Sequence, residues 1–310
     1  MSQLNLFGSE DRGIPCTENG PLHTPLVRES AERWPGLYLG TSSWSFPGWE
    51  GLVYGGRFSE QRLAREGLFA YSRSPLFRTV SLDRTYYRPM DLGGYRRLAG
   101  QVGDGFRFLV KAPRDLLQVG PRGFDLAAFG RDFLTPLVRG LGHKLGVILL
   151  QFPPGTFSDA GPSFLGHLGK FLRGLPNELV YSLEIRDEEL LVPQLSEAMR
   201  GTPTSLCASI HPHLPAPDQQ LLRVPPTPEI PLVFRWNLRP SLDYQEARNN
   251  FQPFSSLALE DQGRRALLAR LVARALEAGR SVYLTANNKA EGCAPLTLLR
   301  FLEELSSQNT

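Results

Sequence analysis

Two consecutive amide side chains, Asn287 and Asn288, follow an apolar strand-like segment and precede a helix that is predicted to begin at Pro295. Loops at the ends of rigid strands are where binding groups collect. Amide N–H groups in such a loop can bind an anion or stabilise an oxyanion that develops during a reaction. The segment therefore predicts one wall of a binding site, without identifying the reaction.

A charged pair ends the fifth predicted strand. Glu184 and Arg186 are two residues apart, so both side chains point to the same face of the strand. A carboxylate beside a guanidinium stays ionised and orients the arginine for a two-point contact with an anion. A purely structural ion pair is the alternative interpretation.

Lys111 ends the third strand, in a segment whose alternation places Leu109 on the same face. An ammonium group there can bind phosphate or carboxylate, or act as a base if it is desolvated. The alternative is an interior lysine paired to an acidic neighbour. Together with polar residues at other strand ends, the candidate catalytic residues are Lys111, Glu184 and Asp83, and the candidate substrate-binding residues are Trp44, Gln151, Arg186, Arg235, Asn287 and Asn288.

The elements that must position these side chains are short apolar strands that alternate with amphipathic helices. The predicted strands are Leu37–Thr41, Thr79–Leu82, Arg107–Lys111, Gly146–Phe152, Val180–Ile185, Ser205–Ser209, Leu232–Arg235 and Ser281–Ala286. Eight such units over about 270 residues fit an α/β fold, a TIM-type (β/α)8 barrel of parallel strands. A doubly wound open sheet is the alternative, because the proline-rich residues 211–231 show no convincing helix.

Residues 1–36 are predicted to be an irregular, loosely ordered N-terminal extension, and residues 37–310 a single barrel domain. The formal net charge is only +3, which does not favour a nucleic acid as partner. Cys16, Cys207 and Cys293 show no ligand spacing, and no nucleotide-binding glycine motif occurs. We therefore expect a cytoplasmic protein with no metal, no cofactor and no membrane partner, whereas the oligomeric state stays open.

Six segments share an order and spacing with one known family. They are Gly40–Trp49, Thr79–Pro89, Phe106–Pro113, Leu149–Pro154, Leu183–Arg186 and Asn287–Pro295. Together they resemble the YecE-like family, also called domain of unknown function 72, over about residues 37–305. The resemblance implies a TIM barrel and no settled activity.

This chain departs from the family pattern at several positions near the predicted site. Ser81 and Asp83 stand where the family has glutamate and asparagine, Asp187 where it has histidine, Trp236-Asn237 where it has histidine-glycine, and Lys289-Ala290 where it often has aspartate-histidine. If those groups do acid–base work in the family, the resemblance implies altered or reduced activity here.

Three functions compete at this stage. The favoured one is an enzyme or binder that acts on a small anionic ligand, phosphorylated or carboxylated, by acid–base chemistry, as a cofactor-independent hydrolase, lyase or isomerase. The second is a protein that binds or processes nucleic acid through the aromatic and arginine side chains near the strand ends. The third is a non-catalytic, divergent barrel.

Overall fold

The eight predicted strands form a closed barrel in the computed structural model, which describes residues 13–161 and 163–308. The strands are β1 Leu37–Thr41, β2 Thr79–Leu82, β3 Arg107–Lys111, β4 Leu145–Phe152, β5 Tyr181–Ile185, β6 Thr204–Ile210, β7 Leu232–Trp236 and β8 Val282–Ala286. Each is parallel to both neighbours, and β1 pairs with β8. The TIM-type barrel is confirmed, and the open-sheet alternative is wrong because no strand edge remains unpaired.

Helices surround the barrel and connect its strands. They are α1 Pro25–Arg33, α2 Glu60–Arg73, α3 Leu92–Ala99, α4 Leu126–Ala128, α5 Thr135–Leu141, α6 Thr156–Ala160, α7 Phe164–Arg173, α8 Pro193–Met199, α9 Pro217–Arg223, α10 Tyr244–Phe251, α11 Gln262–Glu277 and α12 Ala294–Ser307. A π-helical segment, Phe129–Leu134, joins α4 to α5. Within the described residues, we find no helix with the length and apolar character that a bilayer-spanning segment requires.

The apolar core has two parts because successive strand residues face opposite sides. The larger part lies between the barrel and the helices. The smaller part fills the barrel interior with Leu109, Leu149, Cys207, Val233 and Tyr283 among its buried members. All of these interior residues precede the strand ends, so the half of the interior nearest the carboxyl ends is left to other side chains.

The proline-rich segment after β6 contains a helix, α9, that the sequence did not lead us to expect. Pro217 occupies its first turn, where the missing N–H would have had no helical partner. The buried Gln220 side chain accepts from Ser209 N at 3.0 Å and donates to the Ser209 and Pro215 carbonyl oxygens at 2.6 Å each. Tertiary hydrogen bonds thus stabilise a helix that local composition does not indicate.

Residues 13–36 of the N-terminal extension are more ordered than their composition predicts. The Thr24 side chain caps α1 by accepting from Val27 N at 3.4 Å. Leu22 and Val27 are fully buried, and α1 contacts α12. A helix packed on the outside of the barrel therefore orders these residues, while residues 1–12 of the predicted extension lie outside the described residues.

The long connection between β7 and α11 covers one side of the barrel mouth. It carries α10 and forms a small apolar cluster of its own, in which Phe251 and Phe254 pack with Phe46 from the β1 connection. A Cβ atom at Gly48 would lie 1.9 Å from the Pro253 carbonyl oxygen. Only glycine permits this approach, so the β1 connection and the β7–α11 connection pack closely against each other at this point.

Candidate functional site

Arg235 extends from β7 across the barrel interior and joins two carboxylates from other strands. Its Nη1 donates to Glu184 Oε2 at 2.7 Å, and its Nη2 donates to the two Asp83 oxygens at 2.9 and 2.7 Å. The residue is 2% exposed. Burial acts to lower the pKa of Arg235, but the two carboxylates outweigh it and hold the pKa above its ordinary value. Both terminal nitrogens are therefore bound to protein carboxylates.

Small side chains leave the space that the Arg235 guanidinium occupies. Gly40, Ser81, Ser209 and Thr285 lie on the inward-facing positions of their strands, as alternation with the interior core residues requires. Ser81 Oγ also donates to Asp83 Oδ1 at 2.6 Å and orients that carboxylate. The upper half of the barrel is consequently a polar chamber instead of an apolar core.

Glu184 is the hub of this chamber. It is fully buried, and its Oε1 accepts from Arg186 Nε at 3.0 Å and from Asn237 Nδ2 at 3.2 Å, while Oε2 binds Arg235. Burial acts to raise the pKa of Glu184, but Arg235, Arg186 and Lys111 outweigh it and keep the pKa well below its usual range. A carboxylate so held orients its neighbours and does not readily accept a proton.

Lys111 lies in the same chamber but has a different environment. It is 6% exposed, and its Nζ lies 3.7 Å from the centroid of the Tyr86 ring. Within the described residues, its Nζ has neither a hydrogen bond nor a carboxylate at ion-pair distance. Burial lowers the pKa of Lys111 to about 8, although Asp83 and Glu184 act in the opposite direction. The alternative interpretation paired Lys111 with Glu184 or Asp83, whereas in the described residues its Nζ makes a cation–π contact instead.

Arg186 faces both the chamber and the solvent. Its side chain keeps 18% of its surface exposed, and its Nη1 lies 3.4 Å from His211 Nε2. Burial and the charge of Arg186 lower the pKa of His211 to about 4. A neutral imidazole accepts from the guanidinium through this nitrogen. Arg186 is thus the arginine of the charged cluster that a ligand reaches most easily.

A cavity of ≈ 670 Å³ opens beside Arg186. Its lining also includes His213, Arg223 and the acidic Glu188 and Glu189, whereas Lys111 lies outside it. Asp187 holds the backbone of one cavity wall in place, because its carboxylate accepts hydrogen bonds from Gly155 N at 2.6 Å and from Phe157 N at 3.0 Å. The cavity therefore places space for a small molecule on the exposed side of the charged cluster.

The two asparagines after β8 have separate roles. Asn287 Nδ2 donates to Ser42 Oγ at 2.8 Å, and its Oδ1 accepts from Lys289 Nζ at 3.2 Å. Asn288 is 1% exposed, and its Oδ1 accepts from Ala294 N at 2.8 Å, at the start of α12. Asn287 lies at the mouth, whereas the Asn288 oxygen caps a helix.

Replacing Asn288 by alanine is expected to lower the free energy of unfolding by about 1–2 kcal/mol, because the first turn of α12 loses its cap and a buried N–H loses its acceptor. Urea denaturation followed by circular dichroism measures this change. The exposed Asn250 of α10 supplies the control, for which an alanine replacement should change stability by no more than about 0.5 kcal/mol. Equal effects at the two positions would contradict the capping role.

The two remaining predicted residues, Trp44 and Gln151, lie in different parts of the barrel. Trp44 is 4% exposed, and its Nε1 donates to the Leu63 carbonyl oxygen at 3.0 Å, so its indole packs between the barrel and α2. Gln151 pairs with Glu184 in the β4–β5 ladder. Its Oε1 is buried without a hydrogen-bond partner in the described part of the chain. The structure thus brings Gln151 to the charged cluster and places Trp44 in the outer core.

Tyr86 and Asn237 contact Lys111 and Glu184. The sequence placed both near the strand ends, but neither was among the candidate catalytic and substrate-binding residues. Asn237 follows the end of β7 and Tyr86 lies in the turn after β2. Their positions next to strand ends are the sequence feature that indicates a place in the site. Trp236 and Ala290, at two departures from the family pattern, are buried at 1% and 0% exposure and belong to the outer core. In the described residues, three or more histidine, cysteine, aspartate or glutamate side chains do not gather in a way that suits a metal ion.

Comparison with known proteins supports the fold and a family. The chain is 32% identical over 151 residues to the UPF0759 protein YecE of Escherichia coli K12, and this match spans about half the length of each, 48% of this chain and 48% of the relative. A crystal structure of a DUF72 family protein from Thermotoga maritima matches with a TM-score of 0.62 and 22% identity, covering 87% of this chain and 99% of the other. A DUF72 family protein from Enterococcus faecalis matches with a TM-score of 0.62, 21% identity and coverage of 87% and 95%.

The family model described as protein of unknown function DUF72 matches residues 38–310, which is the whole barrel. The solved relatives share the fold at low identity, and the charged cluster is assembled from strands within the matched range. The chain therefore belongs to the DUF72 family.

Proposed function

We propose that the barrel mouth binds a small anion, phosphorylated or carboxylated, and that Lys111 performs acid–base chemistry on it. The observation that carries this proposal is the environment of Lys111: a nearly buried ammonium group over the Tyr86 ring, with no carboxylate partner among the described residues. A buried charge without a partner is costly. An anionic ligand would supply the missing partner.

The charge balance of the chamber supports an anionic ligand. Lys111, Arg186 and Arg235 carry three positive charges, whereas Asp83 and Glu184 carry two negative charges, which leaves one positive charge in excess. The excess resides on Lys111 and Arg186, because Arg235 is bound to both carboxylates. We assign anion binding to these two residues and positioning to Glu184 and Arg235.

The proton-transfer roles follow from burial and pairing. With a pKa of about 8, Lys111 has both protonated and neutral forms near neutral pH, which suits a general acid or base. Asp83 keeps 30% of its side chain exposed and is the second candidate for proton transfer. Asn287 offers an amide at the mouth for a developing oxyanion.

We retain a cytoplasmic location as part of this proposal, supported by three unpaired cysteines.

Trace acetylation of lysines tests the anion site. Lys111 acetylation in the free protein should increase with pH around a midpoint near 8. Inorganic phosphate or acetate should slow it about tenfold at about ten times the Kd, since only the unoccupied protein reacts. Peptide mapping measures each lysine separately, and the exposed Lys170 is the internal control. Arg186→Gln should weaken the protection, whereas Arg300→Gln on the surface of α12 should not.

Three results discriminate between the candidate functions. Protection of Lys111 by neither anion, at concentrations that leave Lys170 unaffected, would remove the anion site. Salt-dependent binding of a single-stranded oligonucleotide that Lys111→Met leaves unchanged would favour the nucleic-acid alternative. Anion protection with no turnover in a panel of phosphate esters and carboxylic acids would favour the non-catalytic barrel.

A further inference from the structure

The four lysines of this chain have very different surroundings. Lys144 Nζ donates to the Ala99 and Val102 carbonyl oxygens at 2.9 and 2.7 Å. Lys289 Nζ donates to Asn287 and lies over the Tyr244 ring. Lys170 is exposed to water. Lys111 and Lys289 are both nearly buried, at 6% and 9% exposure, but within the described residues only Lys111 has no hydrogen-bond acceptor.

We propose that Lys111 is a nucleophile that forms an imine with a carbonyl compound carrying an anionic group, either a 2-oxo acid or a phosphorylated aldehyde or ketone. This inference rests on the proposed function, because it identifies the substrate class of the same site. It extends that function from proton transfer to covalent chemistry at Nζ.

The surroundings of Lys111 meet the requirements for such an amine. A lysine becomes nucleophilic near neutral pH when it is desolvated or lies near other cations. Lys111 is 6% exposed, and the charges of Arg235 and Arg186 act on it together with burial. No hydrogen bond from the described residues engages Nζ, so its lone pair is available once the proton leaves. The aromatic face of Tyr86, 3.7 Å from Nζ, holds the amine in place without engaging that lone pair in a hydrogen bond.

The second requirement is a place for the anionic group. Arg186, whose side chain is 18% exposed, lines the ≈ 670 Å³ cavity. The Oε1 atom of Gln151 and the Oγ1 atom of Thr285 are buried polar atoms without hydrogen-bond partners in the described residues. Thr285 can donate to a carbonyl oxygen or hydroxyl. Both atoms have hydrogen-bonding capacity that the described part of the protein does not use.

The covalent step balances with no further reactant. Neutral Nζ attacks the carbonyl carbon, and one of its two protons passes to the carbonyl oxygen to give a carbinolamine. Loss of that hydroxyl together with the one proton left on nitrogen releases one water and forms the C=N bond. Hydrolysis reverses the step and regenerates the free amine. The imine withdraws electrons from the adjacent carbon, which makes proton removal or carbon–carbon cleavage there easier.

Reductive trapping tests the proposal on the full chain. The protein is incubated with glyoxylate, glycolaldehyde phosphate or the neutral acetaldehyde, each with sodium borohydride, which reduces an imine to a stable secondary amine. Peptide mapping then assigns the adducts. We expect adducts of the two anionic probes at Lys111, in at least about tenfold excess over the exposed Lys170 after equal exposure, which reverses the order that accessibility alone predicts. The relative yield of glyoxylate and glycolaldehyde phosphate distinguishes a carboxylate site from a phosphate site.

Matched variants complete the design. Lys111→Met should remove the dominant adduct and leave the Lys170 adduct unchanged. Arg186→Gln should reduce trapping of the anionic probes and leave that of acetaldehyde unchanged, because only the anionic group contacts the guanidinium. Labelling that follows exposure, with Lys170 ahead of Lys111, would overturn the proposal.

The failure of this inference is distinct from failure of the proposed function. Anion protection of Lys111 against acetylation, with no trapped adduct at that residue, would leave the anion site intact and overturn the imine. Equal trapping of acetaldehyde and glyoxylate, with no anion protection, would overturn the assigned substrate class together with the anion site.

Discussion

Replacing Arg235 by methionine is expected to lower the free energy of unfolding by about 3–5 kcal/mol. The variant leaves Glu184 at 0% exposure without the hydrogen bond to its Oε2, and it leaves Asp83 without its two-point partner. A buried charge that loses one partner cannot recover its hydration, so the cost exceeds that of an exposed ion pair. Urea denaturation at neutral pH measures the change.

A surface ion pair and a double variant serve as controls for the stability loss of Arg235→Met. Arg300 pairs with Glu303 on α12 at 2.9 Å, and both side chains are exposed, so Arg300→Met should cost no more than about 1 kcal/mol. Adding Glu184→Gln to Arg235→Met should recover part of the stability, because the uncompensated charge is then removed. Similar losses in Arg235→Met and Arg300→Met would show that the interior cluster does not contribute as its geometry indicates.

Replacing Lys111 by methionine is expected to raise the free energy of unfolding by about 1–3 kcal/mol at neutral pH. The pKa of Lys111 is about 8 in the folded chain, against about 10.4 for a lysine in water. The unfolded chain therefore binds this proton more tightly, and folding must work against that preference. The full penalty applies below pH 8, fades as pH rises towards about 10.4, and vanishes above it.

The pH dependence distinguishes this effect from simple repacking. The difference in stability between Lys111→Met and the parent should shrink between about pH 8 and about pH 10.4, because the parent becomes more stable as its lysine loses the proton. Lys170→Met, at an exposed position, should show no such trend. Destabilisation by Lys111→Met at neutral pH would indicate that Lys111 contributes to the fold, which would undercut its assignment as a functional group.

These two predictions concern groups of one site that have opposite effects on the stability of the fold. In the Arg235–Glu184–Asp83 arrangement both terminal nitrogens of the buried Arg235 bind carboxylates, so this arrangement fixes the geometry of the chamber. Lys111 is retained at a cost to stability in the same space. Residues that oppose stability in a polar cavity are typical of functional sites.

Local sequence pattern was sufficient to predict the strands. Each strand is a short apolar run between turn residues or helices, and apart from the closing β1–β8 pair the neighbours in the barrel are also neighbours in sequence. The positions of Lys111 and Glu184 at strand ends followed from the same pattern. The helices α1 and α9 were not predicted from the sequence, because their stability depends on buried contacts to distant elements.

The sequence by itself favoured the barrel over an open sheet and indicated the side on which the polar residues gather, because two-residue alternation and strand spacing are local properties of the chain. Its six ordered segments carried the family resemblance. Only the tertiary structure decided which of those residues meet. Asp83 and Arg235 are 152 residues apart and join because closure of the barrel brings β2 and β7 around a common chamber. Closure also separates Trp44 from that chamber and leaves Lys111 without a carboxylate partner in the described structure, since pairing and burial depend on where distant strands place their side chains.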